Sequence, residues 1–332
     1  MSNIDVLVTG GAGYIGNILV EKLLDRGYKV RVLDLMLFGD NALEPLKDNE
    51  NLEIMRGDIR HIRDLTYAIK GVNTVIHLAG IVGDPACSVN EQATQSVNVE
   101  ATKAIMEICK YHGVERIIFA SSCSVYGASK LPWVNEGSFL NPVSLYAKSK
   151  IDSEQIILNS ANYFDKDRIT PVILRFATVF GWSRRMRFDI VVNLLTAKAI
   201  IDKEITIYGG DQYRPFVHVQ DVADACIAAF EAEKELVDRQ IFNVGDNDLN
   251  YRISEVGETV AKIVPDAEVK YIKYKEDDRT YRVSFDKINY VLGWKAKWGL
   301  EDGIKEMKKM IEELGIRDYR KDKYRNSTYP YM

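Results

Sequence analysis

Tyr146 and Lys150 stand four residues apart in Tyr146-Ala147-Lys148-Ser149-Lys150, so on a helix both side chains leave the same face. That pairing can do acid–base chemistry. A free phenol titrates near pH ~10 and is a poor base at neutrality. A lysine ammonium one turn away, joined by a cationic nicotinamide, stabilises the phenolate and lowers that value. The result is a group able to take a hydroxyl proton as hydride leaves the same carbon. Ser121-Ser122-Cys123-Ser124-Val125-Tyr126 supplies hydroxyls just past an apolar strand pattern. Ser122 is the candidate donor to a reacting oxygen, with Ser124 beside it.

A second signal is Leu7-Val8-Thr9-Gly10-Gly11-Ala12-Gly13-Tyr14-Ile15-Gly16, in which a strand feeds a glycine turn and then an amphipathic segment from Tyr14 to Arg26. Gly10 can take the tight turn, Gly13 lets backbone N–H groups approach a pyrophosphate, and Gly16 lets helix and strand pack closely. A phosphate would lie at a helix N-terminus, where unpaired N–H groups and the dipole favour negative charge. The next strand, Lys29-Val30-Arg31-Val32-Leu33, ends in Asp34. A carboxylate there accepts both ribose hydroxyls of NAD and repels the extra phosphate of NADP, so NAD is the expected cofactor.

The elements that must position these groups follow from the pattern. Further short apolar runs occur at Leu52–Met55, Thr74–Leu78, Arg116–Ala120 and Pro171–Phe176, alternating with helical segments. Such alternation predicts an α/β fold built on a doubly wound parallel sheet. Ligands bind such sheets at the carboxyl ends of the strands. This places Gly10, Gly13, Gly16, Asp34, Asp58, Ile59, Leu78, Ala79, Gly80 and the Ser122 segment around one crevice. Beyond Phe176 the rhythm loosens into a loop bearing Trp182, Arg184, Arg185 and Arg187, a helix over Asp189–Asp202, a strand Ile205–Tyr208 and a Gly209-Gly210 turn. An amphipathic helix over Asp221–Glu233 and a strand Gln240–Val244 look like further parts of the sheet domain. The expected division is a dinucleotide domain of residues 1–176 rejoined by about 211–247, with a smaller substrate lobe from 177–210 and 248–332.

Bulk properties narrow the class. The 332 residues are 46% hydrophobic and carry a formal charge of −4, with no long basic stretch. That suits a large core and argues against nucleic acid as a partner. Cys87, Cys109, Cys123 and Cys226 form no CxxC pair, which fits reduced thiols in a cytoplasm. The first strand begins within a few residues of the start, so no signal peptide is expected. No apolar run approaches the ~20 residues of a membrane span. His61, His77, His112 and His218 lack metal-ligand spacing, and no metal site is expected. His77 is expected to end a strand and His218 to start one, both as structural histidines. Trp294 and Trp298 are expected to pack the second lobe, and Tyr319, Tyr324, Tyr329 and Tyr331 to form a docking surface.

Together these residues resemble an extended short-chain dehydrogenase/reductase of the NAD-dependent epimerase/dehydratase family, the group that contains UDP-galactose 4-epimerase. The likeness runs from the start to roughly residue 310 through Gly10–Gly16, Asp58-Ile59, Leu78-Ala79, Asn98, Ser122, Tyr146, Lys150, Arg175, Arg214–Asp221 and Asp278-Arg279. It implies Tyr146 as acid/base, Lys150 holding the nicotinamide ribose, and Ser122 on the sugar oxygen. Asp58 and Ile59 would border adenine, Tyr14, Ile15 and Phe176 would line the cofactor site, and Asn98 would support the active-site helices. A nucleotide-diphosphate sugar would lie against Arg214 and Arg279, its base near Tyr208, with Ser124, Thr178 and Asn193 on the sugar side. The helices over Ala93–Tyr111 and Tyr146–Asn162 would build the family's homodimer interface.

Departures from the family pattern narrow the reaction. Members that are 4,6-dehydratases need an acid immediately after the active-site hydroxyl, where this chain has Cys123 and Ser124. Dehydration is therefore disfavoured, leaving epimerisation through a transient 4-ketone or net redox at C4, as in a 4-dehydrogenase or a 4-keto reductase (for example on a GDP-heptose). Cys123 reads as a packed thiol rather than a proton carrier. Thr178 stands where sugar epimerases commonly have asparagine, and Trp182 follows Gly181 where a proline is usual. The stretch Ala177–Asn193 resembles a branch of bacterial surface-polysaccharide enzymes. A non-catalytic NAD-binding regulator is the remote alternative, disfavoured because Ser122, Tyr146 and Lys150 are all kept.

Overall fold

The computed structural model describes residues 4–129, 131–160, 169–273 and 280–327. Seven strands make the central sheet: β1 (Ile4–Thr9), β2 (Val30–Asp34), β3 (Leu52–Arg56), β4 (Val72–His77), β5 (Arg116–Ser122), β6 (Thr170–Phe176) and β7 (Gln240–Val244). Their spatial order is β7-β6-β5-β4-β1-β2-β3, and every pairing is parallel. Strand order reverses between β1 and β4, which opens a crevice at their carboxyl ends.

Both sheet faces are covered, so the strands read as apolar runs and the period of two shows only in which side each residue packs. Val6, Val8, Val30, Val32, Ile76, Ile118, Val172 and Leu174 enter one core. Leu7, Leu33, Val75, Ile117, Phe119 and Ile173 enter the core on the opposite face.

Five helices matter for the site: α1 (Gly16–Asp25), α2 (Ile62–Ile69), α3 (Ala101–His112), α4 (Leu145–Ser160) and α5 (Val219–Glu231). Helix α5 lies against α1, tied by Lys22 Nζ to Asp224 Oδ1 at 2.8 Å. The single helix expected over Ala93–Tyr111 is interrupted. A short α-turn, Glu91–Thr94, runs into a π-helical stretch, Gln95–Glu100, before α3 begins. The wider π turn shifts the faces on either side of it, and Asn98 lies within it.

Beyond β6 the chain divides its strands between the main sheet and smaller sheets. Gln240–Val244 joins the main sheet beside β6, but Tyr213–His218 does not. It pairs in parallel with Thr178–Phe180 and antiparallel with Asn250–Arg252. His218 therefore ends a strand rather than starting one, its ring stacked 4.2 Å from that of Trp298. Ile205–Tyr208 finds its partner in Glu268–Ile272, a pairing between segments some sixty residues apart that local pattern does not reveal. Trp294 is buried in the main core. Tyr319 is buried and Tyr324 packs on Phe188, so these two tyrosines pack on the chain itself rather than forming a docking surface. Tyr329 and Tyr331 lie outside the described residues. Among the described residues, no helix is long and apolar enough to cross a membrane, and no cluster could hold a metal.

Candidate active site

The crevice at the sheet's reversal point is a cavity of about 420 Å³. Gly10, Gly13, Tyr14, Ile15 and Gly16 line it from the first turn, Asp34 from the end of β2, and Asp58 and Ile59 from the end of β3. Leu78, Ala79 and Gly80 line it from the end of β4. The glycines are dictated by close approach. Gly10 has φ +76°, and a Cβ there would meet the Ala79 nitrogen at 2.8 Å. A Cβ on Gly16 would lie 2.1 Å from the Gly10 carbonyl oxygen. Helix α1 opens with no side-chain cap and no acidic residue in its first turn, and its first residue, Gly16, lines the cavity. These features fit a dinucleotide diphosphate.

Asp34 is fixed in the wall. Its Oδ2 accepts from the Ala12 N–H at 3.0 Å and its Oδ1 from the Met36 N–H at 2.8 Å. Burial pushes the carboxyl up, while these two bonds and the Arg185 charge oppose that shift. Asp58 is gripped by Arg60, whose Nη2 donates to Oδ2 at 2.6 Å. Burial alone would raise this carboxyl, but the Arg60 contacts outweigh it and hold it below the usual range. Phe176 is buried at the end of β6 and, like Asn98, Ser122, Tyr146 and Lys150, is not among the residues lining this cavity.

The acid–base group sits on α4. Ser122, the last residue of β5, accepts from the Ser124 N–H at 3.2 Å and is a side-chain hydrogen-bond partner of Tyr146. The Ser124 Oγ is buried with no hydrogen-bond partner among the described residues. Lys150 is buried; its Nζ donates to the Ala120 carbonyl at 2.7 Å and lies 5.8 Å from the centre of the Tyr146 ring.

The electrostatics differ from the sequence-level expectation in one respect. Burial pushes the Tyr146 phenol above its ordinary value, and the groups of the chain that pull it back are the Ser122 hydrogen bond and the Arg187 charge, not Lys150. Burial also pulls Lys150 down to about 8.

Asn98 anchors the constellation. Its Nδ2 donates to the Ile81 carbonyl at 3.0 Å and to Ser149 Oγ at 3.1 Å, and its Oδ1 accepts from the Ile81 N–H at 2.8 Å. Its carbonyl oxygen accepts from Ser153 at 2.8 Å. One amide thus joins the cavity wall to the helix bearing Tyr146 and Lys150. A second anchor is a buried network. Arg175 donates to both Glu154 oxygens at 2.9 and 2.7 Å, and Ser121 donates to the same carboxylate at 2.5 Å. Tyr126 accepts from Arg175 at 3.1 Å and donates to Asn243 at 2.7 Å.

Other expected residues are placed unevenly. Cys123 is buried, donates to the Arg175 carbonyl at 3.3 Å and has its thiol pushed up by burial, as a packed thiol should. Asn193 is corrected. Its Oδ1 accepts from the Gly181 N–H, while its Nδ2 donates to the Tyr14 hydroxyl at 3.1 Å and the Arg187 carbonyl at 2.8 Å. With both amide hydrogens spent internally, it holds the loop rather than a sugar. Thr178 opens its short strand opposite Phe216. Arg214 and Tyr208 flank the Gly209-Gly210 turn, with Arg214 Nη1 donating to the Tyr213 carbonyl at 2.8 Å and Tyr208 exposed. Arg279 lies outside the described residues.

Among the cavity-lining residues not assigned from sequence are Arg60, Arg185, Arg187 and Asn326. Three arginines within one loop were a usable signal; Asn326 offered none.

Comparison with known proteins extends this geometry. Residues 6–245 match the model of the NAD dependent epimerase/dehydratase family. The chain is 28% identical over 326 residues to the UDP-glucose 4-epimerase of Bacillus subtilis, covering 90% of this chain and 94% of that protein. MoeE5, solved with UDP-glucuronic acid and NAD, matches with a TM-score of 0.80 at 30% identity, over 93% of this chain and 99% of the other. The UDP-glucuronic acid 4-epimerase of Bacillus cereus, solved with the same two ligands, matches with a TM-score of 0.83 at 27% identity, over 94% and 100%.

Proposed function

The chain belongs to the NAD-dependent epimerase/dehydratase family, and from that premise we propose that it is a nucleotide-sugar epimerase acting at C4. The observation that carries this reading is the convergence of Tyr146, Ser122 and Lys150, with a thiol and a hydroxyl, not a carboxyl, at the two positions after Ser122. Loss of water needs an acid near the leaving group, and the Cys123 thiol is packed against the Arg175 carbonyl.

In this reading the Tyr146 phenolate takes the proton of the sugar 4-hydroxyl, and the Ser122 hydroxyl donates to the same oxygen as it becomes a carbonyl. Gly10, Gly13, Gly16 and Asp34 would hold NAD, which would supply a reversible hydride acceptor facing the sugar C4. Tyr146 then gives its proton back to the oxygen. Lys150 supplies positive charge on the cofactor side of the phenol, and Arg187 supplies it from the loop. Arg214 and Arg279 serve the diphosphate of the sugar nucleotide by charge-assisted bonds. UDP-glucose and UDP-glucuronic acid, named for the relatives above, are the first substrates to try. We further propose a cytoplasmic homodimer formed on the outer faces of α3 and α4, where Tyr111 is 83% exposed; light scattering at micromolar concentration reads the mass directly.

The test is incubation with NAD and UDP-, GDP-, dTDP- and CDP-sugars in deuterated water, with products assigned by NMR. A C4 epimer without solvent deuterium, and with no net change in reduced cofactor, is the expected outcome. Stoichiometric NADH formation would replace epimerisation by net oxidation.

A further inference from the structure

The wall of the dinucleotide cavity opposite the glycine turn comes from two segments that the fingerprint does not include. Arg185 and Arg187 belong to the loop after Thr178–Phe180, and Asn326 lies far beyond the residues matched by the family model. Arg185 is buried, its guanidinium 3.6 Å from the centre of the Phe38 ring, and Phe38 also lines the cavity. The Arg185 Nη2 donates to Asn326 Oδ1 at 2.6 Å. Arg187 Nε donates to Asp189 Oδ1 at 2.8 Å, and the Asn326 N–H donates to the other oxygen of that carboxylate, also at 2.8 Å.

The chain near its end is tied down at further points, on the loop and beside it. The Phe188 N–H donates to the Tyr324 carbonyl at 3.1 Å, the Tyr319 hydroxyl to Asp202 at 2.7 Å, and the Asn326 Nδ2 to the Val82 carbonyl at 3.4 Å, just past β4. Two arginines thus line one cavity together with the glycine turn and the uncapped start of α1. Arg187 also stands close enough to Tyr14 and Tyr146 for its charge to act on both phenols. Cations on one side and helix N–H groups on the other make a site for a compact polyanion.

We propose that Arg185 and Arg187 clamp the diphosphate of bound NAD, and that the segment Tyr319–Asn326 is the latch holding them over it. This rests on the family's use of NAD and not on the epimerase reading. On this proposal the latch sets the rate at which NAD leaves. Asn326 is a positioning residue, acting through Arg185 and Asp189.

The experiment is calorimetric titration, without any nucleotide sugar, of parent, Arg187→Gln, Arg187→Lys and Asn326→Ala with NAD, ADP-ribose and adenosine. Stopped-flow displacement gives NAD dissociation rates. Arg187→Gln is expected to weaken NAD and ADP-ribose at least tenfold while adenosine stays within twofold, with Arg187→Lys in between. Asn326→Ala is expected to speed NAD release severalfold at an unchanged melting temperature without ligand. Equal loss for adenosine and ADP-ribose overturns the clamp, because the arginine would then only shape the pocket. NAD affinity within twofold of parent in Arg187→Gln, or an unaltered release rate in Asn326→Ala, overturns clamp or latch respectively. Because binding is read alone, a protein that binds as predicted but epimerises nothing would count against the proposed reaction only.

Discussion

At the scale of single residues, the site is a balance between burial and a few charges. The Tyr146 phenol is raised by burial and drawn down by Ser122 and Arg187. Removing its proton-carrying oxygen by Tyr146→Phe is expected to lower kcat by about 10²–10⁴, with NAD affinity by calorimetry nearly unchanged. Lys150 is held near 8 by burial, so its positive charge is present below that pH and fades above it. A decline of kcat/KM as pH rises through about 8 is expected in the parent enzyme. In Lys150→Arg that limb should vanish, since a guanidinium keeps its charge there, even if the plateau is lower. A profile with the same alkaline limb in both proteins would detach Lys150 from the chemistry.

At the scale of elements, position is enforced by buried polar links rather than by helix propensity. Helix α4 carries both Tyr146 and Lys150, and its Glu154 accepts from Ser121 on β5 and from Arg175 on β6. Glu154→Ala leaves a buried guanidinium without its carboxylate and is expected to cost about 3–5 kcal/mol, read by urea unfolding. A loss well below that would mean water or a neighbour replaces the carboxylate. The first turn is equally constrained. The Gly16→Ala methyl would land 2.1 Å from the Gly10 carbonyl oxygen, forcing α1 off the strand. A stability loss of about 1–3 kcal/mol together with weakened NAD binding is expected, by thermal melting and calorimetry.

At the scale of the whole molecule, the sheet divides two cores and leaves a polar pin between its central strands. His77 Nδ1 lies 2.7 Å from Thr9 Oγ1 across β1 and β4, and its Nε2 lies 3.2 Å from Thr102 Oγ1 on α3. Burial, aided by the Lys150 charge, depresses its pKa from 6.5 to about 3. The unfolded chain therefore binds a proton that the folded chain refuses between those values. This contribution to stability is whole above pH 6.5 and is lost progressively as pH falls toward 3. His77→Gln should flatten the fall in the urea midpoint across that window relative to parent. An identical acid slope in both proteins would assign the loss to carboxylates such as Asp58, held below its usual range by Arg60.

Much of this was legible in the chain itself. The glycine spacing, Asp34 at the end of β2, and the Tyr146–Lys150 interval are local signals, because local sterics and helix geometry decide which face or turn those residues occupy. The strands of the main sheet were likewise readable, because burial on both faces leaves continuous apolar runs. Tertiary structure decided the rest. The partner of Ile205–Tyr208, the π turn that turns Asn98 inward, and the inward-facing amide of Asn193 depend on contacts between distant segments. So does the meeting of Asn326 with Arg185 over the dinucleotide cavity, for no spacing rule joins residues 141 positions apart.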